Sequence, residues 1–237
     1  MGFYNWKILI IDNEVDISHL LMARFKELGF EVFFASNGID AISIFNKQCP
    51  DLIILEIVLS KLDGYELCRK FRKVSQVPII ILTVLDKVSN RLIGLETGAD
   101  DYIVKPFSLK EIEAKIKSIY RRSSLTTQNL SKKTNQIYSI DNLIIDTDTQ
   151  KISKGNLQIK LTNIEHSILK LLIENIGKEL SRPVILDNIW GYIPERTADT
   201  RIVDVHISRL RSKLEENPNN PDFILTVRGK GYMFKKY

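Results

Sequence analysis

Five short apolar runs, each followed by an amphipathic stretch, constrain the first half of this chain more than any other feature. They are KILII (7–11), EVFFA (31–35), LIIL (52–55), PIIIL (78–82) and YIV (102–104). Runs this short and continuous suit strands buried on both faces of a parallel sheet. Between them Ile17, Leu21, Phe25 and Leu28 share one helical face, and Leu109, Ile112, Ile116 and Ile119 share another. Strand–helix units repeated in this way predict an α/β doubly wound parallel five-stranded domain. Ligand chemistry in such folds lies beyond the carboxyl ends of the strands. Those ends carry Asp12 with Asn13, Glu56, Thr83 and Lys105, so polar groups from four strands converge on one edge. Glu56 is the unexpected member, a carboxylate that closes the LIIL run just before the turn in LDGYE.

Residues 123–136, SSLTTQNLSKKTNQ, are polar and aperiodic and read as a flexible linker. Beyond them the pattern changes to short alternating segments, with a turn at Lys154-Gly155-Asn156, which predicts a small antiparallel sheet. LTNIEHSILKLLIEN then opens with a capping box, Thr162 and Glu165, and runs Leu161, Ile164, Ile168 and Leu172 along one face. Ser181 and Pro183 begin a second short helix that ends near Trp190-Gly191, and a third helix follows Asp199. FILTVRGKGYMF (223–234) is a hairpin turning at Gly229-Lys230-Gly231. Three helices with a terminal hairpin make an α+β winged helix-turn-helix.

The third helix is tested by its own geometry. Val203, Ile207, Leu210 and Leu214 form a core-facing stripe. Opposite it lie Arg201, Asp204, Val205, Ser208, Arg209 and Ser212, flanked by His206 and Arg211. Forked donors, an acceptor and a β-branched methyl surface suit the base edges of a major groove. Thr226, Arg228 and Lys230 on the hairpin stand where a wing meets DNA.

Bulk properties agree. A chain of 237 residues is comfortable for two domains. No apolar run reaches the ~18 residues that a membrane span needs. The start, MGFYNWKILIID, is expected to carry no export leader, and Trp6 stands where myristoylation needs Ser or Thr. Cys49 and Cys68 are too few for a disulfide framework and read as free thiols. Residues 1–122 hold 17 Lys/Arg against 16 Asp/Glu, whereas 123–237 hold 17 against 13, so the positive charge sits in the second half. A basic C-terminal half points to a polyanionic partner, double-stranded DNA. The 34 isoleucines against 12 valines point to codon pressure from an AT-rich genome.

Taken together, ILIIDNE, DLIILE…LDGYE, PIIILT, ADDYIVKPF, VDVHISRLRSKLE and ILTVRGKGYMF closely resemble an OmpR/PhoB-type response regulator over residues 5–235. The resemblance is greatest to the branch found in cyanobacteria and red-algal plastids. It implies a receiver domain at 5–122, a linker at 123–136 and a winged-helix DNA-binding domain at 137–236. It further implies phosphotransfer from a histidine kinase to an Asp at the position of Glu56, with Mg2+ held by the pair at Asp12 and Asn13. Thr83 would donate its hydroxyl to the phosphoryl group, Lys105 would anchor it with Lys105–Pro106 cis, and Tyr102 would be the aromatic that rotates with state. The surface of residues 87–120 would form a homodimer, with Arg91 opposite Glu111 and Asp101 opposite Lys115. RNA polymerase is the implied output partner. The implied location is the plastid stroma, with bacterial cytoplasm as the alternative.

The departures fall in the chemistry itself. Glu56 carries one methylene more than Asp, moving its carboxylate outward by roughly 1.5 Å. A misplacement of ~1 Å in phosphoryl transfer costs about 100-fold. Asn13 replaces a charged metal ligand with an amide. Three readings of Glu56 follow: a phosphate-independent regulator in which Glu56 pairs with Lys105 and accepts from Thr83, a regulator still weakly phosphorylated, and a degenerate receiver. A rival from another class is a Mg2+-dependent phosphorelay module.

Overall fold

The computed structural model describes residues 6–128, 137–147, 149–191 and 200–236. The chain divides into two compact units, Met1–Ile112 and Glu113–Tyr237. Strands and helices alternate as expected: β1 (Lys7–Ile11), α1 (Val15–Glu27), β2 (Glu31–Ala35), α2 (Gly38–Gln48), β3 (Leu52–Leu55), α3 (Gly64–Val74), β4 (Ile79–Thr83), α4 (Val88–Glu96), β5 (Asp101–Val104) and α5 (Leu109–Gln128). The sheet is parallel in the order β2-β1-β3-β4-β5. The chain reverses its winding between β1 and β3, whose register pairs Ile11 with Leu55. That switch point puts the residues just after them, Asp12 and Glu56, side by side.

The inner strands are buried on both faces as their unbroken apolar runs require, with Ile8 through Ile11 and Ile79 through Ile81 all 0% exposed, whereas the edge strand β2 is only partly buried. Each such side chain contributes about 1.5–3 kcal/mol by leaving water. Gly64 is required at the start of α3, because a Cβ there would lie 2.5 Å from the Ile57 Cα and 2.6 Å from the Glu56 carbonyl oxygen. The helix start is thereby pressed against the backbone that carries Glu56.

One expectation changes at the end of α5. Residues 123–128, read as linker, continue α5. SSLTTQ is polar but contains neither Gly nor Pro, so nothing in it terminates a helix already propagating. The remainder of the expected linker, 129–136, lies outside the described residues.

After α5 comes an antiparallel sheet, β6 (Ile137–Ile140), β7 (Leu143–Asp146), β8 (Lys151–Lys154) and β9 (Leu157–Ile159), in sequential order. Three helices follow: α6 (Asn163–Glu174), α7 (Arg182–Trp190) and α8 (Arg201–Leu214). Thr162 and Glu165 form the capping box reciprocally at α6, Ser181 caps α7, and Gly191 ends α7 in the left-handed region. The hairpin β11 (Ile224–Val227) and β12 (Gly231–Phe234) is joined by β10 (Leu180–Ser181), a two-residue strand too short to show a pattern. Gly231 permits that pairing, because any side chain there would collide with the Leu180 carbonyl oxygen.

Candidate functional site

At the carboxyl edge of the first sheet, one lysine is shared by three acids. Lys105 Nζ lies 2.7 Å from Asp12 Oδ2, 2.7 Å from Glu14 Oε1 and 2.8 Å from Glu56 Oε2. Asp12, Glu56 and the Lys105 side chain are almost fully buried, while Glu14 is half exposed. The other oxygen of Glu56 accepts the backbone N–H of Ile57 at 2.7 Å and of Val58 at 3.0 Å. Charge-assisted bonds of this kind are the strong ones. Burial alone would lower the Lys105 ammonium, but the bonds from Asp12, Glu14 and Glu56 outweigh it and raise its pKa. Burial also pushes the Asp12 carboxyl up, only partly countered by Lys105.

One expectation about this edge is corrected. Thr83 does not donate to Glu56: its Oγ1 is buried without a hydrogen-bond partner, because both Glu56 oxygens are already taken by Lys105 and by the backbone of Ile57 and Val58. Asn13 is exposed, and its neighbour Glu14 is the residue that joins the cluster. Asp12, Glu14 and Glu56 offer three ligand atoms within 4.8 Å of one another. This all-oxygen set fits a small hard cation such as Mg2+. Tyr102 is buried and its hydroxyl donates to the Leu85 carbonyl at 2.6 Å, while Tyr65 donates to the Asn90 carbonyl of α4 at 3.3 Å. The Lys105–Pro106 peptide is cis.

In the second unit α8 is held along two flanks. On one, Glu165 of α6 is fully buried and faces two α8 cations, Arg209 at 3.0 Å and Lys213 at 2.6 Å. Its Oε2 also accepts the Thr162 N–H at 2.9 Å, closing the capping box. Burial would lift the Glu165 carboxyl, but Arg209 and Lys213 outweigh that and hold it below the usual range. On the other flank Asp204 Oδ1 accepts from Arg182 at 2.6 Å and from the Tyr232 hydroxyl at 2.7 Å. Arg211 donates to the Ile224 carbonyl at 2.6 Å and to Thr226 Oγ1 at 2.8 Å, tying α8 to the hairpin.

The exposed face of α8 is therefore narrower than the helical wheel implies. Val203, Ile207, Leu210 and Leu214 are buried as expected, but so are Val205 and His206, which corrects their assignment to the DNA face. His206 packs its ring 5.4 Å from that of Trp190. Arg201, Ser208 and Ser212 remain as the open stripe, with Thr226, Arg228 and Lys230 exposed on the hairpin. Asp204, Arg209 and Arg211 sit at its margins, engaged within the domain.

The comparisons with known proteins bear on both units. Residues 8–117 match the response regulator receiver domain, and 156–234 match the C-terminal domain of transcriptional regulatory proteins. The chain is 51% identical over 230 residues to the probable transcriptional regulator ycf27 of Porphyra purpurea, covering 97% of this chain and 95% of that one. It is 49% identical over 229 residues to the ycf27 of Cyanophora paradoxa, covering 97% and 96%.

The chain belongs to the OmpR/PhoB-type response regulators. A solved structure of a RitR mutant is similar to this regulator with a TM-score of 0.74 and 28% identity, covering 98% of this chain and 100% of the other. The regulator is thus a transcriptional regulator of two-component type with a DNA-binding domain, and no helix among its described residues is long and apolar enough to cross a membrane. Of the residues expected at a dimer surface, Arg91 and Lys115 are half-buried and Glu111 is exposed. Asp101 is 2% exposed, and its Oδ1 accepts the Tyr102 N–H at 2.8 Å. Sequence reasoning missed Glu14, though it is the third polar residue of DNE. It saw Glu165 only as a cap, because its pairing with α8 spans more than 40 residues of chain.

Proposed function

We propose that this regulator binds specific double-stranded DNA with its winged helix, and that its receiver is held by the Glu56–Lys105 bridge rather than by phosphate. The observation that carries this is the way both oxygens of Glu56 are engaged. One oxygen is held by two backbone N–H groups and the other by Lys105. A nucleophilic carboxylate must be placed in line with the incoming phosphorus, and the longer arm of Glu56, tied to Lys105 and to the backbone, is displaced from that position. Here the longer side chain places its charge on the cation that would otherwise anchor a phosphoryl group, imitating that group with one charge instead of nearly two.

The DNA contacts follow from the open stripe. Arg201 and Ser208 face the major groove and Arg228 reaches the adjacent minor groove. Arg209 and Arg211 are recruited from the margins, and Asp204 stays internal. A homodimer forms through the 87–120 surface, with Arg91 opposite Glu111 and Lys115 near Asp101, and RNA polymerase receives the output. The functional division is receiver 5–122 and DNA-binding domain 137–236, and the working compartment is the plastid stroma.

Incubation with acetyl phosphate and Mg2+, followed by intact-mass measurement, tests the receiver. The wild type stays unmodified, whereas Glu56→Asp gains a phosphoryl adduct. A stoichiometric adduct on wild-type Glu56 overturns the reading. The second reading, a Mg2+-dependent phosphoacceptor served by a histidine kinase, draws on the Asp12, Glu14 and Glu56 cluster. A cation held there would supply positive charge to phosphoryl oxygens, and that same measurement decides for it.

A further inference from the structure

We propose that Glu165 is an internal competitor for DNA: a buried carboxylate that draws Arg209 and Lys213 away from the phosphate backbone and so throttles affinity. This rests on the reading of α8 as the DNA-contacting helix. The two cations lie on the flank beside the open stripe of Arg201, Ser208 and Ser212, within reach of a polyanion lying along it. They are not sealed in: Lys213 retains 30% and Arg209 14% of its side-chain exposure, while Glu165 has none. One oxygen of Glu165 is well satisfied, accepting from Lys213 at 2.6 Å and from the Thr162 N–H at 2.9 Å. The other lies 3.0 Å from Arg209 Nη2 but receives no aligned hydrogen bond. Arg209 is therefore held at Glu165 by charge, and its Nη1 also lies 3.5 Å from His206 Nδ1 on its own helix.

A purely structural carboxylate and a competing one differ in the direction of their effect on binding. Removing a structural carboxylate weakens DNA binding along with the fold. Removing a competing one strengthens binding even as the fold loses stability. Glu165→Gln keeps the shape and the capping acceptor, since Gln serves at this capping-box position, but deletes the charge.

The experiment is a salt series of gel-shift or anisotropy titrations on the full chain, with a duplex of mixed sequence. Wild-type binding, checked first, tests whether the second unit holds DNA at all, independently of Glu165. Each further phosphate-neutralising cation steepens log K against log salt by about 0.9. Glu165→Gln is expected to bind several-fold tighter at low salt, with a slope steeper by about 1–2 and a lower melting temperature. Affinity and slope that are unchanged or reduced overturn the proposal. If the variant is too unstable to titrate, side-chain NMR of the wild type decides instead. Arg209 Nε and Lys213 Nζ resonances shift on adding duplex if the pair is given up, and stay fixed if Glu165 is only structural.

Discussion

The two units of this regulator bury carboxylates against cations in opposite proportion. In the receiver, Asp12, Glu14 and Glu56 share the single ammonium of Lys105. In the DNA-binding unit, Glu165 faces both Arg209 and Lys213. The first cluster sets three anions on one cation, and the second sets one anion between two cations. A buried group without its counter-ion is costly, so each cluster is completed by what it lacks. The receiver edge is suited to gaining a cation. The α8 flank is suited to gaining an anion, as a helix beside DNA should be. The difference shows how similar ionic chemistry serves a closed site in one domain and an open one in the other.

The sharpest way to break this comparison is to remove the shared lysine. Lys105→Met leaves three acids without a counter-charge, two of them buried, and is expected to destabilise the receiver by about 3–5 kcal/mol in urea unfolding. A loss below about 1 kcal/mol would mean that the cage is not held by Lys105.

Acid separates the units next. His166 is buried with Nε2 lacking a partner, and burial, aided by Lys170, lowers its pKa from 6.5 to about 4. The fold thus holds it neutral. That stability is present above 6.5 and is lost as pH falls toward 4, on the order of 3 kcal/mol. Glu165 adds to the loss at lower pH: its contribution is complete above 4.5 and disappears as pH falls through its depressed folded value. Asp12 has the opposite sign, since its raised pKa means that protonation relieves the cost of burying its charge. The DNA-binding unit is therefore expected to melt first in an acid series followed by circular dichroism and calorimetry. His166→Gln should flatten the limb between pH 6.5 and 4.

Smaller effects sharpen the comparison within the second unit. Tyr232→Phe removes the hydroxyl bond to Asp204 and should cost about 1 kcal/mol by thermal unfolding. Lys230→Ala breaks an exposed pair with Glu179 and should cost less than about 1 kcal/mol. It should still weaken DNA binding in a salt-dependent way if the hairpin lies on phosphate.

Much of this was legible beforehand, for identifiable reasons. Continuous apolar runs located the five parallel strands to within a residue, because burial on both faces leaves no alternative pattern. The switch-point rule brought Asp12, Glu56, Thr83 and Lys105 to one edge. The wheel of α8 failed at Val205 and His206, because a helical wheel knows one helix and these residues are covered by others. The linker failed at 123–128, because polarity does not report whether an upstream helix has stopped. Distant pairings were invisible: Glu14 with Lys105 is separated by 91 residues, and Asp204 with Tyr232 by 28.

The sequence by itself determined the two domains, their strand and helix order, the capping box, and the chemical oddity of Glu where a shorter acid belongs. Those follow from local periodicity and residue chemistry, which the chain carries wherever it folds. Only the tertiary structure decided that Glu56 pairs with Lys105, that Thr83 Oγ1 is left without a partner, and which cations of α8 meet Glu165. Those outcomes depend on distances of 2.6 to 3.0 Å between side chains on separate elements, and packing, not sequence spacing, sets such distances.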